Sequence, residues 1–202
     1  MQIKDLATLS GSERVRLALG LDRDQTNKLK LIAQSMVSAN PHILRVPVGK
    51  ARSNTSFYDF RNNKVGIGHK SPEVIAHELG HAISLANSSD FYKSILSKSK
   101  KLSNLSNMAS FTLAGITALN PKLSKEQKNK LLDIATIGST AITLPNLYEE
   151  LKATALATYH SPAKLRTGIS LIPGLVSHMS NDLTAPATYL LTKKLLGVNS
   201  ND

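Results

Sequence analysis

The residues best suited to chemistry in this 202-residue chain stand in one run, His77-Glu78-Leu79-Gly80-His81. Histidines four apart on a helix project from one face, one turn apart, so both imidazoles can reach a single metal ion. Glu78 follows the first histidine and can accept a proton from water that such an ion activates, without ligating the ion itself. An HExxH pattern arises by chance in roughly one chain of this length in a hundred. The bland alternative is a surface helix with two solvated histidines. Against it, Ile75, Ala76, Leu79, Ala82 and Ile83 make the surroundings apolar. Buried histidines beside a buried Glu are costly without a partner such as a metal.

A catalytic zinc takes three protein ligands and keeps a fourth position open. The chain has no cysteine, so the donors must be His and carboxylate, and disulfides and thiol nucleophiles are excluded. The pattern with a third His six residues after the second, and Gly midway, fails, because Asn87 and Ser84 occupy those places. A Glu followed four residues later by Asp is also absent downstream. The glutamates that remain after the motif are Glu126, Glu149 and Glu150. Glu126 lies in the Lys-rich segment Ser124–Lys130 and reads as solvated. Ala153 and Ala157 share the face of Glu150, which lets that helix press against the motif helix while Glu150 points at the metal. Glu149, rotated by about 100°, is expected to face elsewhere, and the choice between the two rests on that rotation. His69, Tyr148, Tyr159 and His160 are further candidates to stabilise an oxyanion, each more simply read as structural or exposed.

The elements that must position these groups follow from periodicity and punctuation. Ser12–Leu19 and Gln25–Val37 carry apolar residues at helical spacing, and Asn40-Pro41 ends the second. Ile43–Val48, Ser56–Phe60 and Lys64–Ile67 read as short strands. Arg61-Asn62-Asn63 supplies a hairpin turn, since Asn tolerates positive φ. Ser71-Pro72-Glu73 starts the motif helix with a cap, a proline suited to the first position and an acid near the positive end of the dipole. That helix is expected to run to about Ala86. Helices are then expected over Phe91–Leu105, over the uncharged Leu102–Pro121, over Lys125–Leu144 and Leu147–Tyr159 with Pro145 between them, and over Thr167–Ser180 and Ala185–Leu196, interrupted by Pro173-Gly174 and Pro186. The fold class is therefore α+β, mostly α: a small antiparallel hairpin or edge strand beside the HExxH helix, then a helical bundle. Residues 1–160 are expected to form the core that carries the motif and 161–202 a helical extension packed on it.

A resemblance covers about Lys64 to Ala157. HELGHA, an uncharged helical region, Leu144-Pro145 and then Glu150-Leu151-Lys152-Ala153-Thr154 resemble the gluzincin-type neutral zinc metallopeptidases, which are often membrane-associated. The match is specific at His77, Glu78 and His81 and looser at Glu150. It departs where an acidic residue or Ser usually follows the Ala and Thr154 stands instead. The resemblance implies a Zn2+ endopeptidase acting on a protein or peptide substrate laid along an edge strand, a place Lys64–Gly68 would take. His77, His81 and Glu150 would be its metal ligands and Glu78 its catalytic base.

Composition bounds the rest. Aromatics are 4% and Trp is absent, so Leu, Ile, Ala and Val supply the apolar mass and favour helices. The net charge is +11, from 25 Lys and Arg against 14 Asp and Glu. Such an excess suits an anionic membrane surface or a generic basic exterior. No sequence signature of specific nucleic-acid binding accompanies it. No signal peptide is evident at the N-terminus, so a cytoplasmic or membrane-associated location is expected, and a virion component fits the composition. The uncharged stretches 102–121 and 134–148 fit either buried helices of a bundle or helices that insert conditionally in lipid. The rival to an enzyme is a non-enzymatic, basic, helical membrane- or nucleic-acid-associated protein whose zinc site is structural or a relic.

Overall fold

The computed structural model describes residues 1–8, 16, 18–86 and 88–197. Most of the helix expected over Ser12–Leu19, and Asn87, lie outside the described residues. Seven α-helices and one small sheet are found among those described. They are α1 (Ile3–Thr8), α2 (Arg23–Ala39), β1 (Val48–Lys50), β2 (Phe57–Asp59), β3 (Lys64–Ile67), α3 (Pro72–Ala86), α4 (Asp90–Leu119), α5 (Lys125–His160), α6 (Lys164–Asp182) and α7 (Thr184–Leu195). The chain is mostly α with a minor β part, as its composition implies.

Several elements form for legible reasons. Helix α2 opens with a capping box, in which Asp22 accepts from Gln25 N–H at 2.7 Å and Gln25 Oε1 accepts from Asp22 N–H at 3.0 Å. Ser71 precedes α3, and its hydroxyl donates to Glu73 at 2.6 Å with Pro72 in the first helical position. The β2–β3 hairpin turns through Asn63 at φ 46°, where Asn is tolerated. Asp59 Oδ1 holds that turn by accepting from Arg61 and Asn62 N–H at 3.0 and 3.2 Å.

The sheet departs from the sequence reading in two ways. Its order is β1-β3-β2, with β1 parallel and β2 antiparallel to β3. Lys64–Ile67 is therefore the central strand and offers no free edge. The edge strands are β1 and β2, and Met1 exchanges backbone bonds with Val48 on the outer side of β1. The strand expected over Ile43–Val48 starts only at Val48. Pro41–Ile43 is a 3-10 turn, with Ile43 N–H bonded to Asn40 O and Leu44 N–H to Pro41 O, because Pro41 presets the turn dihedral.

The helices also run longer than expected. Phe91–Leu105 and Leu102–Pro121 are one helix, α4. The breaks expected at Pro145 and at Pro173-Gly174 do not occur, and α5 and α6 run through them. Proline removes one backbone bond at a cost of about 3 kcal/mol, which a helix held by packing on both sides of it tolerates. Pro186 falls in the first turn of α7, where its missing N–H is an orphan anyway.

The chain forms two compact units. The first holds Met1–Lys93 and Glu149–Leu175, the second Ser94–Tyr148 and the residues from Val176 on. The boundary expected between 160 and 161 falls inside the first unit. That unit has a conventional core, in which Ile3, Leu29, Met36, Ile43, Val65, Ile75 and Leu79 are almost fully excluded from solvent. Burying side chains of this size contributes about 1.5–3 kcal/mol each. Across it, Ser35 on α2 and His160 at the end of α5 are hydrogen-bonded at 3.0 Å.

Two consequences are measurable. A Cβ on Gly80 would lie 2.5 Å from the carbonyl oxygen of Ala153, backbone against which nothing can swing aside. Gly80→Ala should destabilise the protein by about 1–3 kcal/mol in urea unfolding, and an unchanged midpoint would refute the close approach of α3 and α5. Burial holds the His160 imidazole below its ordinary pKa of 6.5, so the unfolded chain takes up its proton first on acidification. Stability from this residue is complete above pH 6.5 and is lost as pH falls below that value and through the lowered pKa of the folded protein. Unfolding followed from pH 7.5 down to well below 6.5 should show this loss in the wild type and a smaller one in His160→Gln.

Candidate metal centre

The site lies in the first unit, where α3 faces the part of α5 that begins at Glu149. Helix α3 follows β3 directly and is buried along most of its length: Ile75, Ala76, Leu79 and Ala82 are inaccessible to solvent. They hold the helix in the core and bring His77, Glu78 and His81 in with it. Facing them, Ala153 and Ala157 are also fully buried, as their size on the Glu150 face suggests.

The two helices meet rung by rung in opposite directions. His77 Nδ1 lies 3.2 Å from Thr154 Oγ1, and His77 Nε2 lies 3.2 Å from Glu150 Oε2. His81 Nε2 is 3.6 Å from that same oxygen. His81 Nδ1 is 3.3 Å from Glu149 Oε1, and Ser84 donates to Glu149 Oε2 at 2.9 Å. Tyr92 OH adds a longer contact to Glu149 Oε2 at 3.4 Å. The imidazole rings stand edge to face, 4.7 Å apart.

This pattern fits a metal ion. His77, His81 and Glu150 each offer one ligand atom, all within 4.8 Å of one another. Each histidine engages a different partner through Nδ1, which leaves both Nε2 atoms directed at the Glu150 carboxylate. Around a tetrahedral ion with bonds of about 2.0–2.1 Å, ligand atoms sit about 3.3 Å apart. The Nε2–Oε2 separations of 3.2 and 3.6 Å match that spacing. Two imidazoles with one carboxylate form a donor set suited to zinc.

Charge argues in the same direction. Glu78, Glu149 and Glu150 act on one buried imidazole. Burial opposes a charge on His81, but the bonds to Glu149 and Glu150 and the fields of Glu150 and Glu78 outweigh it, raising its pKa from 6.5 to about 10. In the metal-free protein, a proton on His81 offsets this concentration of negative charge. A divalent cation bound by both histidines would offset it more fully and would displace that proton.

Glu149 does not face elsewhere. It is buried and is the carboxylate that orients His81, the role outer carboxylates play for metal-bound histidines. The α3 face spans the gap between positions 149 and 150 of α5, so both carboxylates reach it. Thr154, where the resemblance departs, supplies the matching contact to His77 through a hydroxyl. The sequence carried a signal for Glu149, an acid beside the favoured ligand, but none for Ser84 or Tyr92. Tyr58 on β2 is pushed up to about 12 by burial, then by the charges of Asp59 and Glu149, and its hydroxyl donates to Asn63 at 2.6 Å.

The other candidates have different surroundings. Glu126 is exposed. His69 is exposed, and its Nδ1 accepts from Ser71 N–H at 3.1 Å ahead of α3. Tyr148 and Tyr159 are exposed, the latter beneath the Lys164 ammonium. His160 is committed to Ser35.

No protein family, curated protein or solved structure matches the chain. The site is therefore interpreted on its geometry.

Glu149→Gln keeps the shape of the side chain and removes its charge. It should weaken zinc binding by roughly 10- to 100-fold, measured by competition with a chelating dye. Wild-type affinity in this variant would mean that His81 needs no carboxylate to hold its orientation.

Proposed function

We propose that this chain is a zinc-dependent metallopeptidase that cleaves peptide bonds in a protein or peptide substrate. The observation that carries the reading is the convergence of His77, His81 and Glu150, with Glu78 on the same helix between the two histidines. His77, His81 and Glu150 would hold the ion, and Glu149 and Thr154 would orient the two imidazoles. A bound zinc supplies Lewis acidity, which polarises a carbonyl and makes water nucleophilic near neutral pH.

The remaining work falls to the chain's own groups. Glu78 is buried beside the cluster, where a carboxylate serves as a general base. It takes one proton from the attacking water as the water oxygen bonds to the carbonyl carbon. When the carbon–nitrogen bond breaks, Glu78 returns that proton to the leaving amine, which departs neutral. An extended substrate would pair with β2, because β3 is already flanked on both sides. Main-chain pairing of this kind provides affinity without demanding a particular sequence.

The test separates metal from chemistry. Wild-type protein should carry about one zinc per chain and should cleave a denatured-protein mixture, with new termini read by mass spectrometry. Glu78→Gln should retain the zinc while cleavage falls by roughly a hundredfold or more. Glu150→Ala should lose the zinc. Zinc retained by a wild type that cuts nothing would make the ion a brace for α3 and α5. Absence of zinc from unchelated wild type would remove the reading altogether.

A further inference from the structure

The second unit is built inside out. Within it, the buried positions of α4 are Leu96, Ser99, Ser103, Ser110, Ala114 and Thr117, at helical spacing on one face, and all but Leu96 are small or hydroxylic. The exposed positions include Leu105, Met108, Phe111, Ile116 and Leu119, from 61% to 84% accessible. Helix α5 repeats the arrangement before Tyr148: Ser139, Thr143 and Asn146 are buried, whereas Ile134, Ile137 and Leu144 are exposed. A helix whose outer face meets water shows the reverse distribution. The apolar cluster this unit does bury, among the described residues, is small: Ala114, Leu132, Ala185 and Tyr189. Small and hydroxylic side chains between helices, with large apolar ones outward, are what a lipid environment selects.

Several of the inward polar residues are hydrogen-bonded within the unit. Ser99 donates to the Ile142 carbonyl and Ser103 to Asp182 at 3.3 Å. Asn107 donates to Asn181 O at 2.6 Å and accepts from Ala185 N–H at 3.1 Å. Ser139 and Thr143 donate to carbonyls one turn back, each at 3.0 Å. Charge is confined to the ends of the run. Lys98, Lys100 and Lys101 precede it, and Lys122, Lys125, Lys128 and Lys130 follow it. Between residues 94 and 148 these seven lysines are opposed by two acids, Glu126 and Asp133, and Asp133 is engaged by Lys193 at 2.6 Å. A second copy of the chain, itself at +11, would meet this surface with like charge.

We propose that the second unit docks on an anionic lipid bilayer. The outward apolar faces of α4 and α5 lie at the boundary between headgroups and acyl chains, and the flanking lysines rest on the headgroups. No described helix is long and apolar enough to cross a membrane; the inferred arrangement lies in the interface. It rests on the second unit alone and is independent of the metal site.

The experiment is flotation of the full chain with phosphatidylglycerol–phosphatidylcholine vesicles, beside vesicles of phosphatidylcholine alone. Wild type should float with the anionic vesicles, less so as salt rises, and remain behind with the neutral ones. The double substitution Met108→Asp and Phe111→Asp alters only exposed positions and should lower partitioning by roughly tenfold or more, with helicity by circular dichroism unchanged. Leu31→Asp, an exposed apolar position in the first unit, should float as wild type does. Three results would overturn the proposal. The wild type floats with neither vesicle, or the double variant floats undiminished so that charge alone is responsible, or the wild type sediments as a stable oligomer that the double variant dissociates while neither binds lipid.

Discussion

The arrangement of the site depends on how closely α3 and α5 approach at Gly80 and Ala153. A side chain at position 80 would occupy the space of the opposite backbone, so the absence of one sets the helix separation. At that separation the groups on the facing surfaces meet as an antiparallel ladder. Positions 77, 81 and 84 of one helix meet 154, 150 and 149 of the other. At wider spacing the short carboxylate of Glu150 would lie beyond both imidazoles, and the hydroxyls of Thr154 and Ser84 would be left unpaired in a buried place. An unpaired buried polar group costs about 1–3 kcal/mol, so ladder and close packing reinforce each other.

The electrostatics of the ladder explain its asymmetry. Three carboxylates in and around one apolar core repel one another strongly unless a cation stands among them. Glu149 is committed to His81, Ser84 and Tyr92, so its lone pairs are largely occupied. Glu150 lies against both Nε2 atoms, at 3.2 and 3.6 Å. Two adjacent acids thus have different surroundings, Glu149 bonded to the outer nitrogen of His81 and Glu150 set between the two imidazoles.

Much of this was legible in the sequence. His77, Glu78, His81 and Glu150 follow from spacing and residue type, and the start of α3 and the turn at Asn63 follow from capping and turn chemistry. The orientation of Glu149 is not legible, because rotation about its own helix axis does not decide which neighbours it meets. A partner helix seated over the gap between adjacent positions accepts both, and helical periodicity says nothing of where that partner sits. The position of β3 escaped for a similar reason: periodicity identifies a strand but not its neighbours, and the parallel partner β1 lies across a connection that includes β2. Pro145 does not break its helix, since a proline's local penalty is outweighed when both flanking stretches are held by packing.

Small residues act in both units, with opposite results for the large ones. In the first unit, Gly80, Ala153 and Ala157 seat a polar cluster while Ile75, Leu79 and their neighbours fill the core around it. In the second, Ser103, Ser110 and Ala114 face inward without a comparable apolar core beside them, and the large side chains point out. Average composition conceals this division, because 41% apolar content is ordinary for a globular chain. Only the phase of the apolar residues relative to the buried stripe separates the two units. That phase is a stronger indicator of the phase a helix contacts than its mean hydropathy, since inward serines lower the mean without wetting the outer face.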